Sequence, residues 1–369
     1  MNKICIYAIC KDEIKFVDKW LDSMSEADYI VVLDTGSTDG TYERLKADPR
    51  VTKVEQKVIK PWRFDVARNE SLKLVPEDAN ILFSTDLDEL LEPGWGDLIR
   101  NNWTENTWRG HYRYVWSHDE QGNPGDTFWY DKMHIRSYEW KYPVHEVLMP
   151  PGGENVIFTT EKEHLIDFGN SITLHHYPDE SKSRSSYLDL LKIRVDENPE
   201  EAYSWFLLGR EYGHLNMVQD AIETLSHTLE LPDVETKTLV KYCTLGYLGD
   251  LHVVLNNYDV AMMYYNKQLL VDKTYREPYF NLAELYSTTG FYKIAISFIE
   301  EGFKNSYQHF DWTERSKAWS YQPYDILSIC YYFLDQTDLG IENAVRALKL
   351  CPFDTRIQKN YLALLDKKK

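Results

Sequence analysis

The fold is decided by residues 81–89, which read ILFSTDLDE. The first three are apolar and predict a short buried strand. Side chains alternate along a strand, so Asp86 and Asp88 are expected to point the same way and to repel each other unless a proton or cation intervenes. Mg²⁺ and Mn²⁺ bind carboxylate and phosphate oxygens together, so this stretch is a candidate site for a metal ion and a diphosphate. The alternative, more common for an isolated Asp-x-Asp, is a solvated acidic turn.

The preceding residues predict the sheet to which this strand belongs. Apolar runs at 3–10, 29–33 and 51–58 predict three further strands, and the segments between them have helical spacing. Strands that alternate with helices indicate an α/β domain with a mostly parallel sheet. Ligands bind such sheets beyond the carboxyl ends of the strands, and polar residues cluster at 11–13 and 34–39 as well as at 86–89. This convergence favours a binding site over a solvated turn.

A helix predicted over residues 62–75 follows the third strand and begins with Asp65, Arg68 and Asn69. The planar guanidinium of arginine suits the recognition of phosphate. By spacing alone, a surface ion pair between Arg68 and Asp65 explains the same residues equally well.

Charge and cysteine content restrict the class of protein. The 369 residues include 41 Lys and Arg against 59 Asp and Glu, a net charge of −18, which argues against nucleic acid and anionic membrane surfaces as partners. The five cysteines form no C-x-x-C motif, which is typical of a reducing compartment. We find no signal peptide and no apolar run of about 18 residues, and therefore expect a cytoplasmic protein without a membrane span.

Two histidine motifs lie further along the chain. The first is Tyr-Pro-Val-His-Glu at 142–146, and the second is a predicted strand from Ile172 that ends in His175 and His176. Neutral imidazole can bind Mn²⁺ beside carboxylates. For His145 and Glu146, a core histidine and a solvated glutamate are the structural alternatives.

The character of the sequence changes after residue 180. A linking helix is predicted from Lys182 to Ile193, and helical hairpins follow it. Small residues recur twelve apart in three successive pairs, and the last two pairs follow the 34-residue period of tetratricopeptide repeats; the pairs are Gly209 and Ala221, Gly249 and Ala261, and Ala283 and Ala295. Residues 354–365 predict a capping helix. We therefore divide the chain into an α/β domain at 1–180 and an all-α repeat domain at 181–369.

Residues 3–90 resemble the GT-A-fold nucleotide-sugar glycosyltransferases of the large inverting family two. The resemblance rests on four motifs in order: Lys-Asp-Glu at 11–13, Asp-x-Gly-Ser-Thr-Asp-Gly-Thr at 34–41, Phe-Asp-x-Ala-Arg-Asn at 64–69, and Asp-x-Asp-Glu at 86–89. It implies a Rossmann-like GT-A fold, a UDP-sugar donor with UDP-glucose preferred, and Mn²⁺ or Mg²⁺ as cofactor. The family's spacer between the two aspartates is often small, and we interpret Leu87 as an outward-facing change.

The resemblance also assigns roles to single residues. Asp34 would bind the uracil or its ribose, Asp86 would lie near the ribose and donor sugar, and Arg68 would position the donor phosphate or base. Asp88 would bind the metal, with His176 completing its coordination shell. The remaining residues on the nucleotide-sugar side would be Asp12, Glu13 and Asp65.

Over nearly its whole length the chain also resembles the bacterial enzymes that glucosylate cysteine in glycocin bacteriocins. This implies an acceptor hydroxyl or thiol on a peptide, protein or glycan, and a homodimer formed through the helical part. Inverting transfer needs one base to take the acceptor proton, and Glu146 or His145 could supply it, with Glu146 slightly favoured. The alternative is a non-catalytic nucleotide-sugar-binding scaffold whose repeats bind a protein partner.

Overall fold

The structure is a computed structural model that describes residues 2–119, 121–150, 164–179, 186–309, 311 and 316–369. The chain divides into two compact units, Met1–Glu197 and Asn198–Lys369. The sequence placed this boundary seventeen residues earlier, at 180/181. The difference arises because Arg194, near the end of the linking helix, donates hydrogen bonds to the backbone carbonyls of Val144 and His145 in the first unit.

The first unit combines a mixed sheet with short helices. Its strands are β1 (Ile4–Cys10), β2 (Tyr29–Asp34), β3 (Lys53–Gln56), β4 (Ile81–Ser84), β5 (Glu89–Leu91), β6 (Arg109–Val115), β7 (Thr127–His134), β8 (Glu139–Lys141), β9 (Val147–Met149), β10 (Leu165–Asp167) and β11 (Thr173–His176). Its helices are α1 (Val17–Ser23), α2 (Thr41–Ala47), α3 (Phe64–Leu72), α4 (Trp95–Asn102) and α5 (Tyr187–Glu197). The predicted start of α5 at Lys182 lies outside the described residues.

The main sheet has the order β3-β2-β1-β4-β7-β6-β11-β5, with β10 also beside β6. Strands β3, β2, β1 and β4 are parallel, β7 is antiparallel to both of its neighbours, and β6 and β11 are parallel. Strand β5 pairs with β11 in antiparallel fashion, and β8 and β9 form a separate pair. The expected α/β class with a mostly parallel sheet is therefore confirmed.

Apolar side chains cover both faces of the central strands. In β1, Ile4, Ile6 and Ala8 pack on the side of Trp20, whereas Cys5 and Tyr7 face the opposite layer. Burial on both faces explains why the strand sequences are unbroken apolar runs rather than alternating ones. In β1, β2 and β4, polar side chains are consequently found where the strand ends.

The second unit is an array of helical hairpins followed by one further helix. Its helices are α6 (Ala202–His214), α7 (Val218–Thr228), α8 (Thr238–Val254), α9 (Tyr258–Val271), α10 (Glu277–Thr288), α11 (Tyr292–Phe303), α12 (Gln322–Phe333), α13 (Thr337–Leu350) and α14 (Thr355–Lys368). Helix α14 corresponds to the predicted capping helix, and Asp354 caps it by accepting hydrogen bonds from two backbone N–H groups. Among the residues that the structure describes, none of the helices has the length and apolar character that crossing a membrane requires.

The four hairpins share one turn geometry. Asn216, Asn256, Gly290 and Asp335 each adopt a positive φ, between 57° and 86°. In each turn the next backbone N–H donates to a carbonyl five residues earlier, as from Met217 to Tyr212 and from the equivalent residues of the other three turns. This is the Schellman arrangement that ends a helix through a left-handed residue.

Small residues bring the two helices together in the first two hairpins, as the sequence predicted. A Cβ atom added to Gly209 would lie 2.6 Å from Cγ of Leu225 in the facing helix, and one added to Gly249 would overlap the ring of Tyr265. Ala221 and Ala261 are fully buried at the corresponding positions of the second helices. The helical repeat pattern therefore reflects packing.

Candidate functional site

The loops after β1 and β2 are joined by hydrogen bonds at the carboxyl edge of the sheet. The Asp12 N–H donates to Oγ of Ser37 at 2.8 Å, and Oδ1 of Asp12 accepts from the Thr38 N–H at 2.7 Å. The Glu13 N–H donates to Oγ1 of Thr41 at 2.8 Å. Asp12 and Glu13 thus fix one loop against the other, and their predicted contact with a nucleotide stays a prediction.

Asp34, at the end of β2, holds the turn that follows it. Its Oδ1 accepts hydrogen bonds from the backbone N–H groups of Gly36 and Ser37 and from Nε2 of Gln56, all within 3.0 Å. Burial acts to raise the pKa of Asp34, but the hydrogen bonds from Ser37 and Gln56 outweigh it and lower the pKa. The carboxylate is fully buried. In this structure it exposes no atom for the predicted contact with uracil or ribose.

Asp65 pairs with Arg63, the residue that directly precedes α3. Arg63 donates from Nε and from one terminal nitrogen to the two oxygens of Asp65, at 3.0 and 2.8 Å, and it also contacts Glu197. The alternative of a surface ion pair between Asp65 and Arg68 is therefore wrong. The ion pair does not form because Arg68, on the same helix, points into the sheet edge instead of along the surface.

Arg68 is 4% exposed and connects three elements. Its Nε donates to Oε1 of Glu146 at 2.5 Å, one terminal nitrogen donates to Oγ of Ser84 at 3.1 Å, and the other contacts both oxygens of Asp86 at 3.0 Å. Burial acts to lower the pKa of Arg68, but Asp86 and Glu146 outweigh it and raise the pKa well above its usual value. All three nitrogens are engaged within the protein and the side chain is 5% exposed, so little of Arg68 is accessible to a donor phosphate.

Lys132 is a component of the site that the sequence analysis missed. It lies in β7, is 6% exposed, and places Nζ 3.1 Å from Oε1 of Glu89 and 3.4 Å from Oδ2 of Asp86. Burial acts to lower the pKa of Lys132, but Glu89 and Asp86 raise it well above its usual value. The one available signal was alternation, which puts Lys132 on the same face as Tyr130 and His134 in a strand otherwise rich in aromatic residues.

Glu89 is the most buried carboxylate of the acidic cluster. Its two oxygens accept hydrogen bonds from the hydroxyl of Tyr114 at 2.8 Å and from the Asp86 N–H at 2.9 Å, in addition to the contact with Lys132. Burial raises the pKa of Glu89, and Lys132 opposes this rise. Glu89, which its place in the Asp-x-Asp-Glu motif alone did not distinguish, lies between the main chain of Asp86 and the ammonium of Lys132.

Asp86 and Asp88 have different partners, which corrects the expectation from strand alternation. Strand β4 ends at Ser84, so the two aspartates lie in a turn. Burial acts to raise the pKa of Asp86, but Arg68 and Lys132 lower it below its usual range. The turn also directs Leu87 into the core, where it is 1% exposed. The interpretation of Leu87 as an outward-facing change is therefore wrong.

Asp88 faces His176, and their predicted role as a pair of metal ligands stays a prediction. Oδ2 of Asp88 lies 3.5 Å from Nε2 of His176, and Nδ1 of His176 lies 3.2 Å from the backbone oxygen of Trp116. Burial acts to lower the pKa of His176, but Asp88 outweighs it and raises the pKa. When Nδ1 donates its proton to the Trp116 carbonyl, Nε2 is the nitrogen that faces Asp88 and that can take a metal ion in place of a proton. This is the tautomer that a metal-binding histidine normally uses.

The Asp88 and His176 pair suits a divalent ion that takes its remaining ligands from water and substrate. It supplies one carboxylate oxygen and one imidazole nitrogen, and Mg²⁺ or Mn²⁺ commonly takes its other ligands from water and substrate phosphates. Within the described ranges, no group of three or more His, Cys, Asp or Glu side chains is arranged to hold an ion by itself. The residues present therefore suit a metal that substrate completes, and they do not suit a closed structural site.

The predicted bases lie on the loop between β8 and β9. Glu146 contacts Arg68 and is mostly buried, so Arg68 connects this loop to Asp86. His145 has a φ of 48°, and its ring packs against Tyr187 with centroids 5.9 Å apart. The Phe64 N–H donates to the carbonyl of Pro143 at 3.0 Å, which fixes the same loop to α3. The structure thus joins Glu146 to the acidic cluster, while both residues stay candidates for the base.

Exposed aromatic rings lie beside His176. The indole of Trp116 stacks on His176 with centroids 4.6 Å apart and is 46% exposed. Tyr177 is similarly exposed and stacks on His118 at 4.7 Å. The flat faces of such rings suit the apolar faces of pyranose rings.

Comparisons with known proteins find distant structural likeness only. No family model matches the chain, and no curated protein matches it. Solved structures that are similar include MamA (16% identity, TM-score 0.37, covering 47% of this chain and 85% of that one). A thermophilic TPR protein of Thermus thermophilus (17%, 0.36, 49% and 90%) and a tetratricopeptide repeat protein of Parabacteroides merdae (16%, 0.40, 50% and 66%) are also similar. The second unit is tetratricopeptide-like by its own hairpin geometry.

Proposed function

We propose that the protein is an inverting, metal-dependent glycosyltransferase of GT-A type that transfers a sugar from a UDP-sugar, with glucose preferred, to a hydroxyl or thiol. One observation carries the proposal. At the carboxyl edge of a mostly parallel sheet, Asp88 and His176 lie side by side while a main-chain carbonyl fixes the other imidazole nitrogen. Ligand sites of α/β sheets occur at this edge, and the donor set suits Mn²⁺ or Mg²⁺.

The residues around this pair supply the other requirements of the reaction. A metal bound by Asp88 and His176 would neutralise the negative charge of the departing diphosphate, which is the main electrostatic demand of the transfer. Asp86 is held by Arg68 and has a side chain 32% exposed, so it can face the ribose or the donor sugar. Glu146 or His145 would take the proton of the acceptor.

We further propose that the acceptor is a peptide or protein and that the helical unit takes part in binding it or in forming a homodimer. Stacked helical hairpins provide extended surfaces for such contacts. Glycans are a second class of acceptor that the same chemistry would serve. The two classes are distinguished by whether mass spectrometry finds the added hexose on a peptide or on an oligosaccharide.

The test is turnover of UDP-glucose by the purified protein with Mn²⁺, measured as UDP release and as a hexose mass added to candidate acceptors. Asp88→Asn replaces the anionic one of the two metal ligands with a neutral amide, and we expect it to reduce turnover by about 10²-fold or more. Asp97→Asn is the matched control, because Asp97 lies exposed in α4 of the same unit. Ordinary turnover in the Asp88→Asn protein would contradict the site assignment.

Calorimetry with UDP and Mn²⁺ separates this proposal from a scaffold. Binding of UDP and metal without turnover of any UDP-, GDP- or TDP-sugar would favour a non-catalytic nucleotide-sugar-binding protein.

The variants Glu146→Gln and His145→Asn identify the base. The variant that loses kcat while retaining the affinity for UDP and Mn²⁺ has lost the group that takes the acceptor proton.

A further inference from the structure

A continuous chain of charges connects the interior of the first unit to the candidate site. Lys132 contacts Glu89 and Asp86, and Arg68 contacts Asp86 and Glu146. Both cations are almost completely buried. The two carboxylates at the outer end of the chain are the ones that reach solvent, with side chains 32% exposed for Asp86 and 12% for Glu146.

This chain of buried charges is better explained by a role in positioning side chains than by a contribution to stability. A buried ion pair is weak evidence for a stabilising role, because an apolar pair of similar size often stabilises a protein equally well. One terminal nitrogen of the Arg68 guanidinium contacts both carboxylate oxygens of Asp86, and Nε contacts Glu146, so the planar group links the positions of the two carboxylates. Lys132 approaches Asp86 from the interior and places Nζ 3.4 Å from Oδ2, the carboxylate oxygen that Arg68 also contacts.

We propose that Lys132 is a positioning residue for the transfer, a role that rests on the proposed function. Through Asp86 and Arg68, its ammonium sets the place of Glu146, so that the donor-side carboxylate and a candidate base are fixed together before substrate binds. Lys132 itself contacts neither donor nor acceptor. A displacement of about 1 Å in such a group can reduce a rate by about 10²-fold, so a buried lysine can control the reaction without contacting the substrate.

The experiment removes the ammonium without leaving an unpaired buried charge. The double variant Lys132→Met/Glu89→Gln deletes a cation and an anion together, and the amide of the new side chain keeps an acceptor oxygen for a neighbouring N–H. Lys132→Arg restores a cation. Lys3→Met is the matched control. Lys3 directly precedes β1, at the opposite edge of the sheet, and pairs there with Asp78.

We expect kcat for UDP-glucose turnover to fall by about 10-fold or more in the double variant, with the donor KM changed by less than about threefold. Lys132→Arg should recover part of this loss, and Lys3→Met should leave kcat unchanged. Circular dichroism during thermal unfolding measures the folded fraction. A loss of kcat that disappears after correction for the folded fraction would overturn the positioning role.

Crystal structures of the wild-type protein and the double variant provide a readout that does not depend on turnover. The proposal requires the Asp86 to Arg68 and Arg68 to Glu146 contacts to lengthen beyond hydrogen-bonding distance in the variant. If both contacts are unchanged, Lys132 does not position these groups, whatever the activity. If they lengthen in a protein whose wild-type form turns over no sugar nucleotide, the positional coupling holds and the glycosyltransferase proposal fails.

Discussion

The carboxyl edge of the sheet and the turns of the helical hairpins use polar residues in opposite ways. At the sheet edge, Arg68 contacts a residue 18 positions away and another 78 positions away, and Lys132 reaches back 43 and 46 positions. In the hairpin turns, the characteristic hydrogen bond joins residues only five apart, four times over. One region is defined by distant partners and the other by local geometry.

This difference determines how each region is stabilised and how it responds to substitution. Groups at the sheet edge are buried charges, whose desolvation must be offset by specific partners. The hairpins depend on close packing at Gly209 and Gly249 and on a left-handed residue in each turn. Substitutions should therefore be costly at the sheet edge when they remove a charge, and costly in the hairpins when they add an atom.

The largest effect is expected from Arg68→Met. It leaves the Asp86 and Glu146 carboxylates without their shared guanidinium, which should lower the free energy of unfolding by about 3–5 kcal/mol. The matched control is Arg346→Met in α13, whose ion pair with Glu342 is exposed and should contribute about 0.3–0.5 kcal/mol. Urea titrations followed by circular dichroism measure both. Equal losses would show that burial of charge does not distinguish the two regions.

The next effect concerns pH: burial of neutral His134 should make the free energy of unfolding about 3 kcal/mol smaller at low pH than at neutral pH. Nε2 of His134 accepts from the Tyr7 hydroxyl at 2.6 Å, Nδ1 donates to the Ile135 carbonyl at 2.7 Å, and burial lowers its pKa to about 4. The unfolded histidine titrates near 6.5, so this contribution is complete above pH 6.5 and is lost as the pH falls from 6.5 to 4.

Urea titrations at pH 7 and pH 4 test this, because His134→Gln should lose less stability between the two pH values than the wild-type protein does. The control is His227→Gln in α7, a histidine of the helical unit whose side chain is 42% exposed. If the wild type and His134→Gln lose the same stability on acidification, other groups account for the acid sensitivity.

In the hairpins, the expected cost comes from an added methyl group. Gly209→Ala places Cβ 2.6 Å from Cγ of Leu225 and should lower the free energy of unfolding by about 1–3 kcal/mol. Gly213→Ala, four residues later in the same helix, meets no atom closer than 3.9 Å and should stabilise by about 0.5–1 kcal/mol. Thermal unfolding of the two variants measures the difference. Similar shifts in Tm would mean that helix contact does not require a small residue at position 209.

The smallest effect concerns the repeated turn. Asn256 has a φ of 58°, which a β-branched residue adopts poorly, so Asn256→Val should cost about 1–2 kcal/mol. Asn256→Gly should be nearly neutral because glycine adopts this conformation readily. Asn257→Val at the adjacent position, where φ is −86°, is the control and should change Tm little. A neutral Asn256→Val would show that the turn does not depend on its left-handed residue.

The structure agrees with the sequence analysis where the signal was local. The apolar runs at 3–10 and 29–33 correspond to β1 and β2, and the pairs of small residues mark the contacts between hairpin helices. The repeated residue types at 216, 256, 290 and 335 were also available in the sequence and would have predicted the four turns. Periodicity and turn chemistry depend on near neighbours, which the sequence records directly.

The site was predicted only in outline, and particular residues show why. The sequence by itself determined that acidic side chains follow the central strands and that His176 ends a late strand, because these statements concern order along the chain. Only the tertiary structure decided that Arg68 turns inward to Asp86 and Glu146, that Leu87 is buried, and that Lys132 lies between two carboxylates. Contacts between buried charges depend on which strands are neighbours in the sheet, and no spacing in the sequence specifies that order.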